Sequence, residues 1–131
     1  MKPNVNGFNC LVHGDAWLPN IMFKRDASGQ LDCQFIDFQQ SFYTSPAIDL
    51  INLIFTSAET ESKLGNFEYF VKFYHENLLE SLNHLKYNKK IPTLKELYLD
   101  ILDRGFLAVW QGFAVLPPCL AENVQESSTD N

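Results

Sequence analysis

The Ser45-Pro46 pair divides this chain into two stretches of different periodicity, so the fold must combine strands with helices. Before the pair, apolar residues come in short runs broken by turn formers. Cys10-Leu11-Val12 stops at Gly14, and Ile21-Met22-Phe23 leads toward Asp26-Ala27-Ser28-Gly29, which supplies turn chemistry. Cys33-Gln34-Phe35-Ile36-Asp37-Phe38 reads as the returning strand, so residues 21–38 predict a β-hairpin with Asp37 at its end. After the pair the period is helical. Ser45 can act as N-cap, and Pro46 fits the first helical position, where its missing N–H costs nothing. Apolar residues from Ile48 through Phe55 are dense enough for a buried helix.

A second helix is predicted over about 66–86, with Phe67, Phe70, Val71, Tyr74, Leu78, Leu82 and Leu85 on one stripe. Pro92 then precedes Thr93-Leu94-Lys95-Glu96, a capping box that opens a third helix. That helix carries Leu94, Leu97, Tyr98 and Ile101 and is expected to run toward Leu116, where Pro117-Pro118 ends it. Ala121 to Asn131 is polar and acidic and is expected to be a disordered tail. The expected class is α+β and mostly helical: a short β-hairpin, then about three helices, in one domain over residues 1–120 followed by the tail 121–131.

Charge and composition narrow the function classes. Sixteen acidic against ten basic residues give a formal net charge of −6, which argues against nucleic acid and anionic membrane surfaces as partners. The longest apolar stretch, Phe106 to Leu120, is interrupted by Gln111, Gly112 and the proline pair. It falls short of the roughly 20 residues a membrane span needs and is expected to be a buried core helix. Met1 to Gly7 contains no apolar segment of the kind a signal peptide carries. Cys10, Cys33 and Cys119 are odd in number and far apart, without a C-x-x-C pair, so zinc and a disulfide framework are disfavoured. They are expected to be reduced, mostly buried thiols in a cytoplasmic protein.

Chemistry concentrates in His13-Gly14-Asp15-Ala16-Trp17-Leu18-Pro19-Asn20 and in Asp37. Asp15 follows a short strand, Asn20 opens the next one, and Asp37 ends the strand that returns. Such an arrangement can converge two carboxylates and an amide oxygen, a donor set that suits Mg²⁺ with substrate phosphates. Phosphoryl transfer in the kinase manner needs an Asp to accept the hydroxyl proton, an Asn on one metal and an Asp on the bridging metal. The kinase catalytic loop separates its base from its Asn by four residues, and Ala16, Trp17, Leu18 and Pro19 separate Asp15 from Asn20 here. Plainer readings stand beside this one. Asp15 alone could be a turn carboxylate, and His13-x-Asp15 could open a metallophosphatase pair, although no further His or Asp follows at ligand spacing. Trp17 either contacts substrate or packs over the loop. Met22 is an ordinary core methionine on periodicity alone. Asp49 is either a first-turn partner of the helix dipole or a buried brace, and its apolar helix favours the brace.

His13-Gly14-Asp15-x-Trp17-x-x-Asn20-Ile21-Met22-Phe23, Phe35-Ile36-Asp37-Phe38-Gln39 and Ser45-Pro46-Ala47-x-Asp49-Leu50 together closely resemble the ecdysteroid kinase-like family, also called CHK kinase-like. That family belongs to the aminoglycoside phosphotransferase and choline kinase group. The resemblance is strongest from Gly7 to Glu59 and continues more weakly to about residue 118. It implies the C-terminal lobe of a protein-kinase-like fold, using ATP and Mg²⁺ to phosphorylate a hydroxyl of a small molecule, steroid-like alcohols included. By this resemblance Asp15 is the catalytic base, Asn20 and Asp37 ligate Mg²⁺, and Met22 lies under the adenine ring. His13 and Asp49 support the catalytic loop.

A kinase also needs a Gly-rich or equivalent loop over the phosphates and a strand Lys paired with a helix Glu. Only fourteen residues precede Asp15, Lys2 is the only basic one among them, and the six glycines form no G-x-G-x-x-G. An N-terminal lobe is therefore expected to complete the site, and the isolated chain is expected to have little activity. The competing expectation is a non-enzymatic, degenerate kinase fragment that binds a partner or a lipophilic ligand.

Overall fold

The computed structural model describes residues 2–110. The dense apolar run after Pro46 forms α1 (Ala47–Ser57), whose Ala47, Leu50, Ile51 and Ile54 lie in the core. Pro46 sits at the cap position, and Ser45 Oγ accepts a hydrogen bond from the Ala47 N–H at 3.1 Å. Val71 from α2 (Thr60–His84) and Leu97 and Ile101 from α3 (Leu94–Asp103) close over α1. Phe55, Phe67, Phe70, Tyr74, Leu94, Tyr98 and Leu107 pack around this cluster. Fully burying each of the larger aliphatic side chains removes enough apolar surface to stabilise the fold by about 1.5–3 kcal/mol.

The β part consists of two separate antiparallel ribbons. β1 (Cys10–Val12) pairs with β4 (Phe42–Thr44), with Leu11 opposite Tyr43. β2 (Ile21–Arg25) pairs with β3 (Leu31–Phe35), with Phe23 opposite Cys33. The hairpin turn is closed by Asp26, whose carboxylate accepts from the Ser28 and Gln30 N–H groups at 2.9 Å each. The molecule is thus α+β and about half helical, as the change of period at Ser45-Pro46 implies.

Several local expectations are corrected. β3 ends at Phe35, so Asp37 lies two residues beyond the strand, where it opens a 3-10 turn at Phe38–Gln40. The strand Phe42–Thr44 was not anticipated, being only three residues long and wedged before Ser45-Pro46. α2 begins at Thr60 rather than near residue 66, because its polar first turns are held by Lys63 Nζ donating to the Phe55 carbonyl at 2.7 Å. Leu85 lies past the helix end and is 77% exposed instead of joining the stripe.

The single long helix expected after Thr93 is two elements, α3 and α4 (Gly105–Trp110). They part at Arg104, whose guanidinium turns back to Asp100 at 2.7 Å and which is followed by a glycine, a poor helix former. Phe106 and Trp110 are exposed, against the buried helix expected there. Cys33 is likewise exposed, because the β2–β3 hairpin stands away from the core; Cys10 is half-buried and both thiols are free. The extension toward Leu116, the Pro117-Pro118 stop, Cys119 and the tail 121–131 lie outside the described residues.

α3 opens on the capping box seen in the sequence. Thr93 Oγ1 accepts from the Glu96 N–H at 3.2 Å, and Glu96 Oε2 accepts from the Thr93 N–H at 2.9 Å. Lys90 donates to the same carboxylate, and this bond, followed by the two from Thr93, lowers the Glu96 carboxyl from 4.5 to about 2. A depressed carboxyl contributes stability above its ordinary value and loses it as the pH falls through its folded one. Glu96→Gln should therefore lower the melting temperature at neutral pH, by an amount that shrinks as the pH falls below 4.5 and vanishes below about 2. Thermal melts of both proteins across that range check this, and a pH-independent difference would contradict it.

Candidate active site

The loop after β1 is held by one carboxylate. Asp49, in the first turn of α1, accepts the His13 N–H on Oδ2 at 2.6 Å and the Gly14 N–H on Oδ1 at 2.9 Å. Gly14 makes this approach possible: its φ is +82°, and a Cβ there would stand 2.2 Å from the Gln40 carbonyl oxygen. Behind Asp49 the surroundings are apolar. Burial, then the Asp49 charge, push the Cys10 thiol up to about 11, and burial above all raises the Tyr74 hydroxyl. The acidic first-turn residue is therefore a brace between helix and loop, at a helix end whose dipole also favours a negative charge.

His13 carries the fixed geometry across to the second ribbon. It is buried, its Nε2–H donates to the Ile36 carbonyl at 2.8 Å, and its Nδ1 accepts from the Asp15 N–H at 3.3 Å. Those roles assign the neutral tautomer with the proton on Nε2. The ring packs between Phe35 and Phe38, at centroid distances of 5.4 and 4.7 Å. The Ile36 N–H donates in turn to the Asn20 carbonyl at 3.0 Å. Ile36 is thus gripped on both sides, and the next residue is Asp37.

Asp37 has φ 63° and ψ 64°, the left-handed region that costs a non-glycine residue about 1 kcal/mol or more. Asp tolerates it better than most residues. Its Oδ2 accepts weakly from Gln39 Nε2 at 3.3 Å. Asn20 is buried and directs its Nδ2 to Asp15, donating to the carboxylate Oδ2 at 2.9 Å and to the backbone carbonyl at 3.0 Å. Its Oδ1 is left without a hydrogen bond among the described residues. The 3-10 turn Leu18–Asn20 is anchored on the far end of α1, where Ser57 Oγ accepts from the Leu18 N–H at 2.8 Å.

The structure therefore joins Asp15 to Asn20 directly, and ties Asp37 to both through Ile36 and His13. Met22 stands apart on the hairpin at 60% exposure, which removes the core-methionine reading. Phe23 and Leu31 on the same ribbon and Phe38 in the turn after it are also exposed. Sequence reasoning passed over Ile36, Ser41 and Ser57, which act through backbone groups or as anchors; Ser41 Oγ donates to the His13 carbonyl at 3.3 Å. Gly14 was read as a strand stop and as a member of the His13-Gly14-Asp15 motif, without the close approach to Gln40 that requires a glycine there.

Electrostatics leave the site short of positive charge. None of the ion pairs among the described residues includes Asp15, Asp37 or Asp49. Also among these residues, no group of three or more His, Cys, Asp or Glu side chains is placed to hold a metal ion. The oxygen atoms that the loop and the turn after β3 offer are instead the Asp15 and Asp37 carboxylates and the Asn20 amide oxygen, which has no hydrogen bond among the described residues. Hard oxygen donors in that small number fit Mg²⁺, which keeps waters and takes its remaining ligands from phosphate.

Residues 1–87 match the model of the ecdysteroid kinase-like family. No curated protein and no solved structure matches the chain. No described helix is long and apolar enough to cross a membrane.

Replacing Asp49 tests the brace. Asp49→Ala leaves the His13 and Gly14 N–H groups without their shared acceptor, which should cost about 3 kcal/mol, since bonds to a charged group are worth about 1.5–3 kcal/mol each. Urea denaturation reads this directly. A loss below about 1 kcal/mol would mean that the loop is held by other contacts.

Proposed function

The chain belongs to the ecdysteroid kinase-like family, and from that premise we propose that it carries the catalytic half of a small-molecule kinase, which moves the terminal phosphate of ATP to an alcohol hydroxyl. The observation that supports the proposal is the Asn20 amide bound to Asp15, with Ile36, the residue before Asp37, held by Asn20 and His13. Asp15 Oδ1 is free of hydrogen bonds among the described residues and takes the hydroxyl proton as the alcohol oxygen attacks phosphorus. The bond between phosphorus and the bridging oxygen breaks, and ADP leaves. Asn20 Oδ1 and Asp37 would hold Mg²⁺, whose chemistry is to neutralise and orient the phosphates. Met22 offers an exposed apolar surface for the adenine ring. His13 and Asp49 keep the loop in register and touch neither substrate.

A phosphate loop and a Lys–Glu pair are also part of this chemistry, and positioning supplies most of the rate in phosphoryl transfer. We propose that a second lobe provides them from outside residues 1–120, resting on the hairpin that exposes Met22. Alone, this lobe should bind nucleotide weakly and turn over little. The acceptor is taken to be a small lipophilic alcohol, with an ecdysteroid as the first candidate. A cytoplasmic location fits both the ATP requirement and the free thiols of Cys10 and Cys33.

With the complementary lobe present, Asp15→Asn should keep the fold and nucleotide binding while phosphate transfer to ecdysone falls by about 10²–10⁴. Asp37→Asn should remove the magnesium dependence of nucleotide binding. Unchanged turnover in Asp15→Asn would overturn the assignment, and absence of any nucleotide binding would favour a non-enzymatic binding role.

A further inference from the structure

Trp17 lies between Asp15 and Asn20, and its indole Nε1–H is the single buried side-chain donor without a hydrogen-bond partner among the described residues. An indole N–H can only donate. Leaving one buried and unpaired costs about 1–3 kcal/mol, and native proteins seldom keep such a group without a use. The loop around it is otherwise well paired. Asn20 N–H donates to the Trp17 carbonyl at 3.0 Å, Leu18 N–H to Ser57 Oγ at 2.8 Å, and Asp15 N–H to His13 Nδ1 at 3.3 Å. Ala16 is 2% exposed, and Trp17 itself has extended backbone at φ −143° and ψ 167°. The unpaired donor therefore belongs to an ordered loop.

The indole is oriented against its own solvation. Trp17 is only half-buried, yet the buried part includes its polar atom. A tryptophan of this kind ordinarily gives its N–H to water or to a partner. The χ2 torsion of tryptophan is broad and roughly two-fold, so the ring can exchange its edges while the backbone stays fixed. Two trans peptide links put the Cα of Trp17 within about 7 Å of that of Asp15, close enough for the ring, once turned, to reach the neighbourhood of that carboxylate.

We infer that the Trp17 indole N–H donates a hydrogen bond to an oxygen of the bound reactants, either of the transferring phosphoryl group or of the acceptor alcohol. The inference rests on the kinase reading above. Among the described residues that donor has no partner, and binding supplies one, so the bond favours the loaded state over the empty one. Specificity follows from the same fact: a reactant without an oxygen at that point leaves the donor unpaired.

Nuclear magnetic resonance on the nitrogen-labelled chain tests this at the low affinities expected of one lobe. Trp17 and Trp110 are its two tryptophans, so Trp110→Phe, at an exposed position, leaves one indole signal. Magnesium with a non-hydrolysable ATP analogue is titrated first, and ecdysone is added second. A downfield shift of the indole proton in the first arm identifies a phosphoryl oxygen, and a shift only in the second identifies the alcohol oxygen. Nucleotide binding is followed separately through the backbone amides of Asn20 and Asp37. If those move and the indole stays still in both arms, the inference is overturned and the kinase reading stands. If no signal moves, both are overturned. Trp17→Phe should keep the melting temperature within a few degrees and weaken binding of the responding ligand about tenfold. Unchanged binding in that variant would also overturn the inference.

Discussion

Two oxygens of Asp49 decide where the loop between β1 and the hairpin can lie. They take two consecutive backbone N–H groups at the end of β1, so the strand cannot slide along or rotate away from α1 without leaving a charge unpaired. An acidic group bound by two N–H donors in a half-apolar setting is worth more than either bond in water. Its anchor, α1, is the most deeply buried helix of the core. The rigidity of the helical core is thereby passed to residues 13 and 14, one and two positions from Asp15.

From there the constraint travels through groups of decreasing burial. His13 is buried and hydrogen-bonded at both ring nitrogens, Ile36 is held through its backbone, and Asp37 is exposed with a left-handed backbone. At the other end, α1 holds the Leu18–Asn20 turn through Ser57. One helix therefore fixes both ends of the loop that carries Asp15 and Asn20. The second anchoring network lies behind it, where Ser45 Oγ donates to Asp100, which also pairs with Arg104 and accepts from Asn4 Nδ2 at 3.2 Å. Those bonds set the start of α1 against α3 and so support the helix from which Asp49 projects.

The features that could be read from sequence are those written in residue type and spacing. The interval between Asp15 and Asn20, the Thr93–Glu96 box and the change of period at Ser45-Pro46 are of this kind, as was the preference for Asp49 as a brace. The grip on Ile36 was invisible because it uses backbone groups that every residue owns. The ribbon between β1 and β4 was missed because three-residue strands carry no measurable alternation. Arg104 interrupts an apolar helical pattern and forms a part-buried ion pair with the preceding turn. Cys33 was assigned by residue type to the interior, and a core position was the plainer reading of Met22 on periodicity, but the ribbon that bears them has neither face on the core.

That outlying ribbon gives the molecule two levels of cohesion. Local opening in proteins follows cooperative units, and segments with little buried apolar surface open at the lowest free energy. The β2–β3 ribbon is joined to the loop through the bond from His13 to the Ile36 carbonyl and the contact between the His13 and Phe35 rings. Asp15 and Asn20 lie on the loop that α1 braces, whereas Asp37 follows the outlying ribbon. A cation held by Asn20 and Asp37, as proposed above, would act as a thermodynamic rivet between loop and ribbon, and ribbon cohesion would become a function of free cation concentration.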